Sequence, residues 1–313
     1  MLTTIKNEYD MRFHIEELLT IGMLTILNIM IFLRTNLSGE AGVLFGINTA
    51  LIVMVVIIAR QYIKNTSAAL GRFRDLYPVV LCLLIFFEHH FLVPLINPHD
   101  IDNFLIQIDR YLFLGNDPSV LFESFTYPII TEILQIAYTT FYLMPLTICG
   151  VLYFKGQKIG FHIIATAILL GYYTSYLGYY LCPAIGPRFT LSELQNFPLT
   201  GMLTYDFIRS TLDTFEGVTR DCFPSGHTLI SALAAMMAYK YRKSAFRGYT
   251  LWATLIIIAT VYLRYHYVVD VIAGFIIAYL IYRVNPYLVR KYIFLMDKSK
   301  ENSFLEDAQT SSL

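Results

Sequence analysis

Eight apolar runs divide the sequence, and short polar turns separate most of them: about Leu18–Leu33, Val43–Ala59, Leu76–Ile96, Pro128–Phe154, Ile159–Leu181, Pro224–Tyr239, Tyr249–Leu263 and Tyr267–Tyr282. Runs of this length read as helices that cross a bilayer, where every backbone polar group must be satisfied within the segment. Composition agrees: 56% of the 313 residues are hydrophobic, 15% are charged, and the mean hydropathy is +0.56. The expected fold class is therefore all-α, a polytopic membrane helical bundle of about eight spans. The expected organisation is an N-terminal polar segment with two spans (1–75), a six-helix membrane domain (76–285) and a cytoplasmic tail (286–313). Net charge is zero, with 23 basic and 23 acidic residues, so nothing in the balance points to nucleic acid.

The distribution of charge sets the sidedness. The turns at 60–75, 155–158 and 240–247 carry ten Lys/Arg, whereas the long segments at 97–127 and 182–223 carry four. Under the positive-inside rule the three turns and both termini are expected in the cytoplasm and the two long segments outside. Met1–Glu17, mixed in charge, is expected as a short polar or interfacial segment. Leu18–Leu33 has the length of a signal-peptide core, but acids precede it and no small-residue cleavage site follows, so a retained first span is expected.

Chemistry concentrates between Cys222 and Asp270. Cys222-Phe223-Pro224-Ser225-Gly226-His227 opens one apolar run, and Arg264-Tyr265-His266-Tyr267-Val268-Val269-Asp270 opens another. An even hairpin returns both to one membrane face. His266 and Asp270 stand four residues apart, so on a helix the carboxylate would accept the proton of one imidazole nitrogen and leave the other as nucleophile or base. With Pro224 in a first helical turn, the amides of Ser225 and Gly226 would point outward at the positive end of a helix dipole, which suits a phosphate.

Pro224-Ser225-Gly226-His227 and His266-x-x-x-Asp270 resemble the second and third signatures of the type 2 phosphatidic acid phosphatase superfamily. Pro183-Ala184-Ile185-Gly186-Pro187-Arg188 resembles the first signature as written in the branch related to inositol phosphorylceramide synthase. The three occur in order, each at a membrane boundary, within roughly Tyr138–Tyr282. The resemblance implies that His266 attacks phosphorus to give a phosphohistidine, that Asp270 holds its tautomer, and that His227 protonates the leaving oxygen. It implies that Arg188, Ser225 and the Gly226 backbone bind the phosphoryl oxygens of a lipid phosphate or phospholipid, with no metal ion or other cofactor.

Two phosphate cations usual in the phosphatases are missing: Leu181 stands seven residues before Arg188, and Thr260 six before His266. Arg264 is the expected replacement, with Arg220 as second candidate. The loss shifts weight towards headgroup transfer to an alcohol, as in the synthase branch. A rival class is a transporter or anionic-lipid-binding protein without catalysis, but internal repeats with interrupted spans are not evident. His227, His266 and Asp270 also have the composition of a two-histidine, one-carboxylate metal site, against which the adjoining Pro-Ser-Gly and Arg188 ask for an anion.

Other features keep two readings each. Glu88-His89-His90, inside a span, is either part of the site or a self-satisfied packing cluster. Tyr138 and Tyr142 either pack helices or line a headgroup pocket. The amphipathic pieces Ile101–Leu114 and Val120–Phe125, in an acidic stretch, either roof the site or form a plain loop. Cys182 and Cys222 bracket the external loop and are either free thiols or a disulfide.

Overall fold

The computed structural model describes residues 13–64, 67–216 and 220–310, and among these every regular element is a helix. The first three, α1 (Ile15–Arg34), α2 (Gly39–Lys64) and α3 (Ala68–Ile96), form an antiparallel group. Two short helices, α4 (Asp102–Leu112) and α5 (Pro118–Leu121), lead to α6 (Pro128–Thr139) and α7 (Leu143–Phe154), then to the long α8 (Lys158–Leu181). The segment after α8 holds α9 (Pro187–Thr190) and α10 (Tyr205–Glu216), and α11 (Gly226–Tyr241), α12 (Phe246–Tyr262) and α13 (Val268–Thr310) follow.

Seven helical stretches among the described residues are long and apolar enough to cross a membrane. The sixth apolar run of the sequence is α11, which is only 16 residues long, about 24 Å of helix. It lies at the centre of the bundle, with Leu229, Ile230, Leu233, Ala234, Met237 and Ala238 fully buried against α7, α8, α12 and α13. Ser225 caps it by accepting from the Thr228 amide at 3.2 Å. Small residues allow that approach: a Cβ at Gly171 of α8 would lie 2.8 Å from Leu229 and Ile230 side chains. The outer helices present apolar side chains outward instead, as at Val43, Ile47, Val53 and Ile57 of α2, which is the surface a lipid-facing helix needs. The protein is a multi-pass, all-α membrane bundle.

Three expectations change in detail. Pro128–Phe154 is one apolar run but two helices, broken by a tight 3₁₀ turn at Thr140–Tyr142. The final run does not stop near Tyr282; α13 continues as one helix to Thr310, through Pro286. Met1–Glu17 is not simply interfacial: residues 1–12 lie outside the described residues, but Glu16 and Glu17 are buried in the first turn of α1. Arg74, expected in a basic turn, is buried with them and grips Glu17 through Nε and Nη2 at 2.6 and 2.7 Å.

Candidate active site

The three signature segments meet at one end of the bundle. After α8, the Pro183–Gly186 stretch turns sharply at Gly186, whose φ is +100° and where a Cβ would lie 2.7 Å from the Tyr265 carbonyl oxygen. Only glycine fits that approach. The Asp102 carboxylate of α4 accepts from the amides of Ile185 (2.9 Å) and Gly186 (2.8 Å) and from the Tyr267 hydroxyl (2.8 Å). Two turns on, the Asp109 carboxylate accepts from the Val268 and Val269 amides at 2.8 and 2.9 Å and so caps α13. The helix α4 thus clamps the first signature to the third, whereas none of the residues 101–125 lines the cavity itself.

A cavity of about 310 Å³ opens beside this junction. Its polar wall comprises Arg188, Asp213, Asp221, Gly226, His227 and His266, and aromatic rings including Tyr138, Phe141, Tyr142, Tyr172 and Tyr176 form much of the rest. Tyr138 and Tyr142 therefore line the pocket. The 3₁₀ turn at 140–142 brings Tyr138 and Phe141 onto His227, with ring centroids 4.1 and 4.3 Å away.

His266 lies in the turn before α13, not on the helix, and its amide and that of Tyr265 both donate to the Thr260 carbonyl at 3.0 Å. Its Nδ1 lies 2.8 Å from the Cys222 carbonyl oxygen. A carbonyl only accepts, so Nδ1 carries the proton and Nε2 keeps the lone pair. The expected hydrogen bond to Asp270 is replaced: the Asp270 Oδ2 stands 3.6 Å from Nδ1. That oxygen instead accepts from the Tyr267 amide (2.9 Å) and the Cys222 thiol (2.8 Å). Asp270 is fully buried behind the ring. His227 sits across the cavity, ring centroids 5.9 Å from His266, and its Nε2 has no hydrogen-bond partner among the described residues.

Arg188 reaches the cavity from α9 but is held by Asp213 of α10 in a bidentate pair of 2.7 and 2.6 Å. The guanidinium keeps the Asp213 carboxyl below its ordinary range. Asp221 also faces the cavity; burial pushes its carboxyl up to about 6, partly countered by His266.

Several expected binding residues sit elsewhere. Ser225 is fully buried, its hydroxyl oxygen caps α11 and its amide donates to the Asp270 carbonyl at 3.2 Å. Helix α11 begins at Gly226, so Pro224 lies outside it and Gly226, not Ser225, reaches the cavity wall. Arg264 does not turn back towards His266. With φ +66° its side chain runs into the 195–197 loop, donating to Gln195 Oε1, the Phe197 carbonyl and Glu123 Oε1 at 2.8, 3.0 and 2.9 Å. It lines a neighbouring pocket of about 400 Å³ that it shares with Arg188. Arg220 pairs with Asp100 at 2.7 Å and is not on the wall of the main cavity.

Glu88 accepts from Asn48 at 3.0 Å, and His89 bonds the Tyr180 hydroxyl at 2.7 Å, so this cluster ties α3 to α2 and α8 and is absent from the cavity wall. Cys182 and Cys222 are both free thiols. A compact donor set with metal-like spacing does exist here, but it is Cys222, His266 and Asp270, without His227. Its members already satisfy one another through the thiol and carbonyl of Cys222.

Sequence reasoning missed Asp213, Asp221 and the role of Cys222. Asp102 and Asp109 stood only as part of an acidic stretch, and the position of Cys222 next to the Pro-Ser-Gly-His run was the one local signal for it.

Residues 103–284, more than half of the chain, match the family described as the PAP2 superfamily. The chain belongs to that superfamily. All three signature segments and the α4 clamp of this PAP2 protein fall within the matched region, apart from Asp102 at its edge. The chain is also 38% identical over 95 residues to a Dictyostelium discoideum protein named PA-phosphatase related-family protein. That similarity covers 29% of this chain and 17% of the relative, so the chain spans a small part of that protein's length. No solved structure matches it.

Proposed function

We propose that this PAP2 protein is a membrane-embedded phosphatase or phosphotransferase that acts on a lipid phosphate or phospholipid headgroup through a phosphohistidine on His266. The observation that carries the reading is the hydrogen bond from His266 Nδ1 to the Cys222 carbonyl, which leaves an Nε2 lone pair beside a cavity shared with His227 and Arg188. In the first step Nε2 attacks phosphorus, the bond to the lipid oxygen breaks, and protonated His227 gives its proton to that oxygen. In the second, His227 takes a proton from water or an alcohol, the new oxygen attacks phosphorus, and the P–N bond breaks. Asp270 stabilises the cationic ring between the steps. Arg188 and the Gly226 backbone bind the phosphoryl oxygens, for which the substrate displaces or shares Asp213. Protein groups supply every role, so the chemistry is metal-independent.

The apolar, aromatic remainder of the cavity fits a lipid rather than a soluble phosphate ester. Leu181 and Thr260 in place of two cations favour transfer to an alcohol, as in inositol phosphorylceramide synthase. By the positive-inside rule the cavity faces the extracytoplasmic side. Incubating the purified protein with labelled phospholipids, with and without inositol-lipid and ceramide acceptors, tests the reading. Free phosphate or a new diester, lost in His266→Ala and His227→Ala at unchanged folded yield, is expected; binding without turnover would leave a transporter or lipid-binding protein.

A further inference from the structure

The pocket beside Arg264 differs from the main cavity in the charge of its wall. About 400 Å³ in volume, it is bounded by parts of the 188–199 segment, by Arg209 of α10 and by Leu263 and Arg264. It meets the main cavity at Arg188 and Phe189, which line both. Neither His227 nor His266 lines it, and no carboxylate does, whereas the guanidiniums of Arg188, Arg209 and Arg264 all do. The acids that answer these cations stand off its wall: Asp213 pairs with Arg188, and Glu123 with Arg264.

Arg209 makes the balance uneven. Among the described residues it forms no ion pair and donates one hydrogen bond, to the Tyr205 hydroxyl at 2.9 Å. Its charge acts on Asp213, but Arg188 already grips that carboxylate through two hydrogen bonds, and the two guanidiniums together hold the carboxyl below its ordinary range. Three cations against two carboxylates leave a net positive wall. The Nε of Arg264, a side chain only 5% exposed, is a buried donor without a partner among the described residues, and such groups are rare in native interiors. Acceptors are scarce. Gln195 Oε1 already accepts from Arg264 and its Nε2 donates to the Pro187 carbonyl, while Asn196 donates to Glu123. A pocket rich in N–H donors and excess positive charge selects an anion over a neutral polyol.

We propose that this pocket binds a second anionic group of the same substrate molecule, a phosphoryl or carboxylate group on the headgroup side of the reacting phosphorus, with Arg209 as its main ligand. The proposal rests on the assignment of Arg188 to the phosphoryl group that reacts. Arg188 stands between the two spaces, and its planar fork can donate to oxygens on both sides. The aromatic part of the main cavity then takes the lipid side of the substrate, and the arginine-lined pocket takes the headgroup side. The substrate class narrows to lipids that carry two anionic groups close together. Arg209 is a specificity-determining residue, outside the bond-making steps.

The test is equilibrium binding to the purified full-length protein, which needs no turnover, with inorganic phosphate, pyrophosphate and propane-1,3-bisphosphate as probes in titration calorimetry. At least one of the linked probes should bind ~10-fold or more tighter than phosphate, at one equivalent per chain. Arg209→Gln should bring that ratio of affinities close to unity, and Arg209→Lys should restore part of it. Arg220→Gln, which removes a cation paired with Asp100 and on neither wall, should keep it. Equal affinities for all three probes on wild-type protein would overturn the proposal, and that comparison decides even where a variant fails to fold. A ratio that survives Arg209→Gln would overturn it equally. Two equivalents of phosphate with no gain for the linked probes would make the pocket a separate anion site and sink the bridging substrate. Protein with the Arg209-dependent ratio but no turnover of any lipid would remove the catalytic reading and keep this one.

Discussion

The Asp102 carboxylate accepts from the Gly186 amide at 2.8 Å, and through this contact helix α4 holds the segment that delivers Arg188. The same carboxylate receives the Tyr267 hydroxyl, adjacent to His266. Asp102→Ala leaves the Ile185 and Gly186 amides without that acceptor, at about 1–3 kcal/mol for each buried group. If the site is as proposed, kcat/KM falls roughly 100-fold from the misplaced arginine and nucleophile. Kinetics on folded Asp102→Ala protein, compared with Glu88→Gln as a buried carboxylate outside the cavity, measure this. Equal losses in both would assign Asp102 to general stability.

Asp221 sets a pH dependence. Its carboxyl is raised to about 6 by burial, so it is neutral below that pH and adds a negative charge to the cavity above it. An anionic substrate then meets repulsion, and kcat/KM should decline as pH rises through about 6. Asp221→Asn should flatten that limb. Folding stability follows the same sign: this group's contribution is fully present below the ordinary carboxylate range and is lost as pH rises through about 6. Superimposable profiles for wild type and Asp221→Asn would show that another group governs the limb.

Arg264 tests the difference between sequence and geometry. Its guanidinium and Glu123 are both buried, with side chains 5% and 7% exposed, and removing either partner strands the other, at roughly 3–5 kcal/mol. Arg264→Gln and Glu123→Gln should each lower the melting temperature, and the double variant should lose much less than the sum. Arg264→Gln at wild-type stability but with a large loss of kcat would return Arg264 to the phosphate.

How far the chain can be read without coordinates follows from what each feature depends on. The spans are visible because apolar runs are local, and His227, His266 and Asp270 stand out because the resemblance rests on contiguous signatures. The carbonyl that orients His266 belongs to Cys222, 44 residues away in sequence, and no spacing rule finds it. Asp102 and Asp109 act over 84 and 159 residues on backbone amides, which carry no side-chain signature. Arg264 was misread because a positive φ redirects its side chain, and only the fold reveals that φ. The break at 140–142 hides inside a uniformly apolar run.

Sidedness can be measured directly. Lys243 in the turn before α12 and Glu193 in the segment after α9 are both exposed. In a background without reactive native thiols, Lys243→Cys should be labelled by an impermeant reagent only from the cytoplasm, and Glu193→Cys only from outside. The reverse pattern would put the cavity on the cytoplasmic side.

The most direct test of the account is covalent trapping. Rapid acid-free quenching of turnover with a phosphorus-labelled lipid substrate should give protein-bound label that is stable to alkali and labile to acid, on a peptide containing His266. His266→Ala should carry none, while His227→Ala, able to form but slow to release the adduct where the leaving group needs no proton, should accumulate it with an activated ester. Turnover with no label on His266 under conditions that capture the step would contradict the nucleophile assignment.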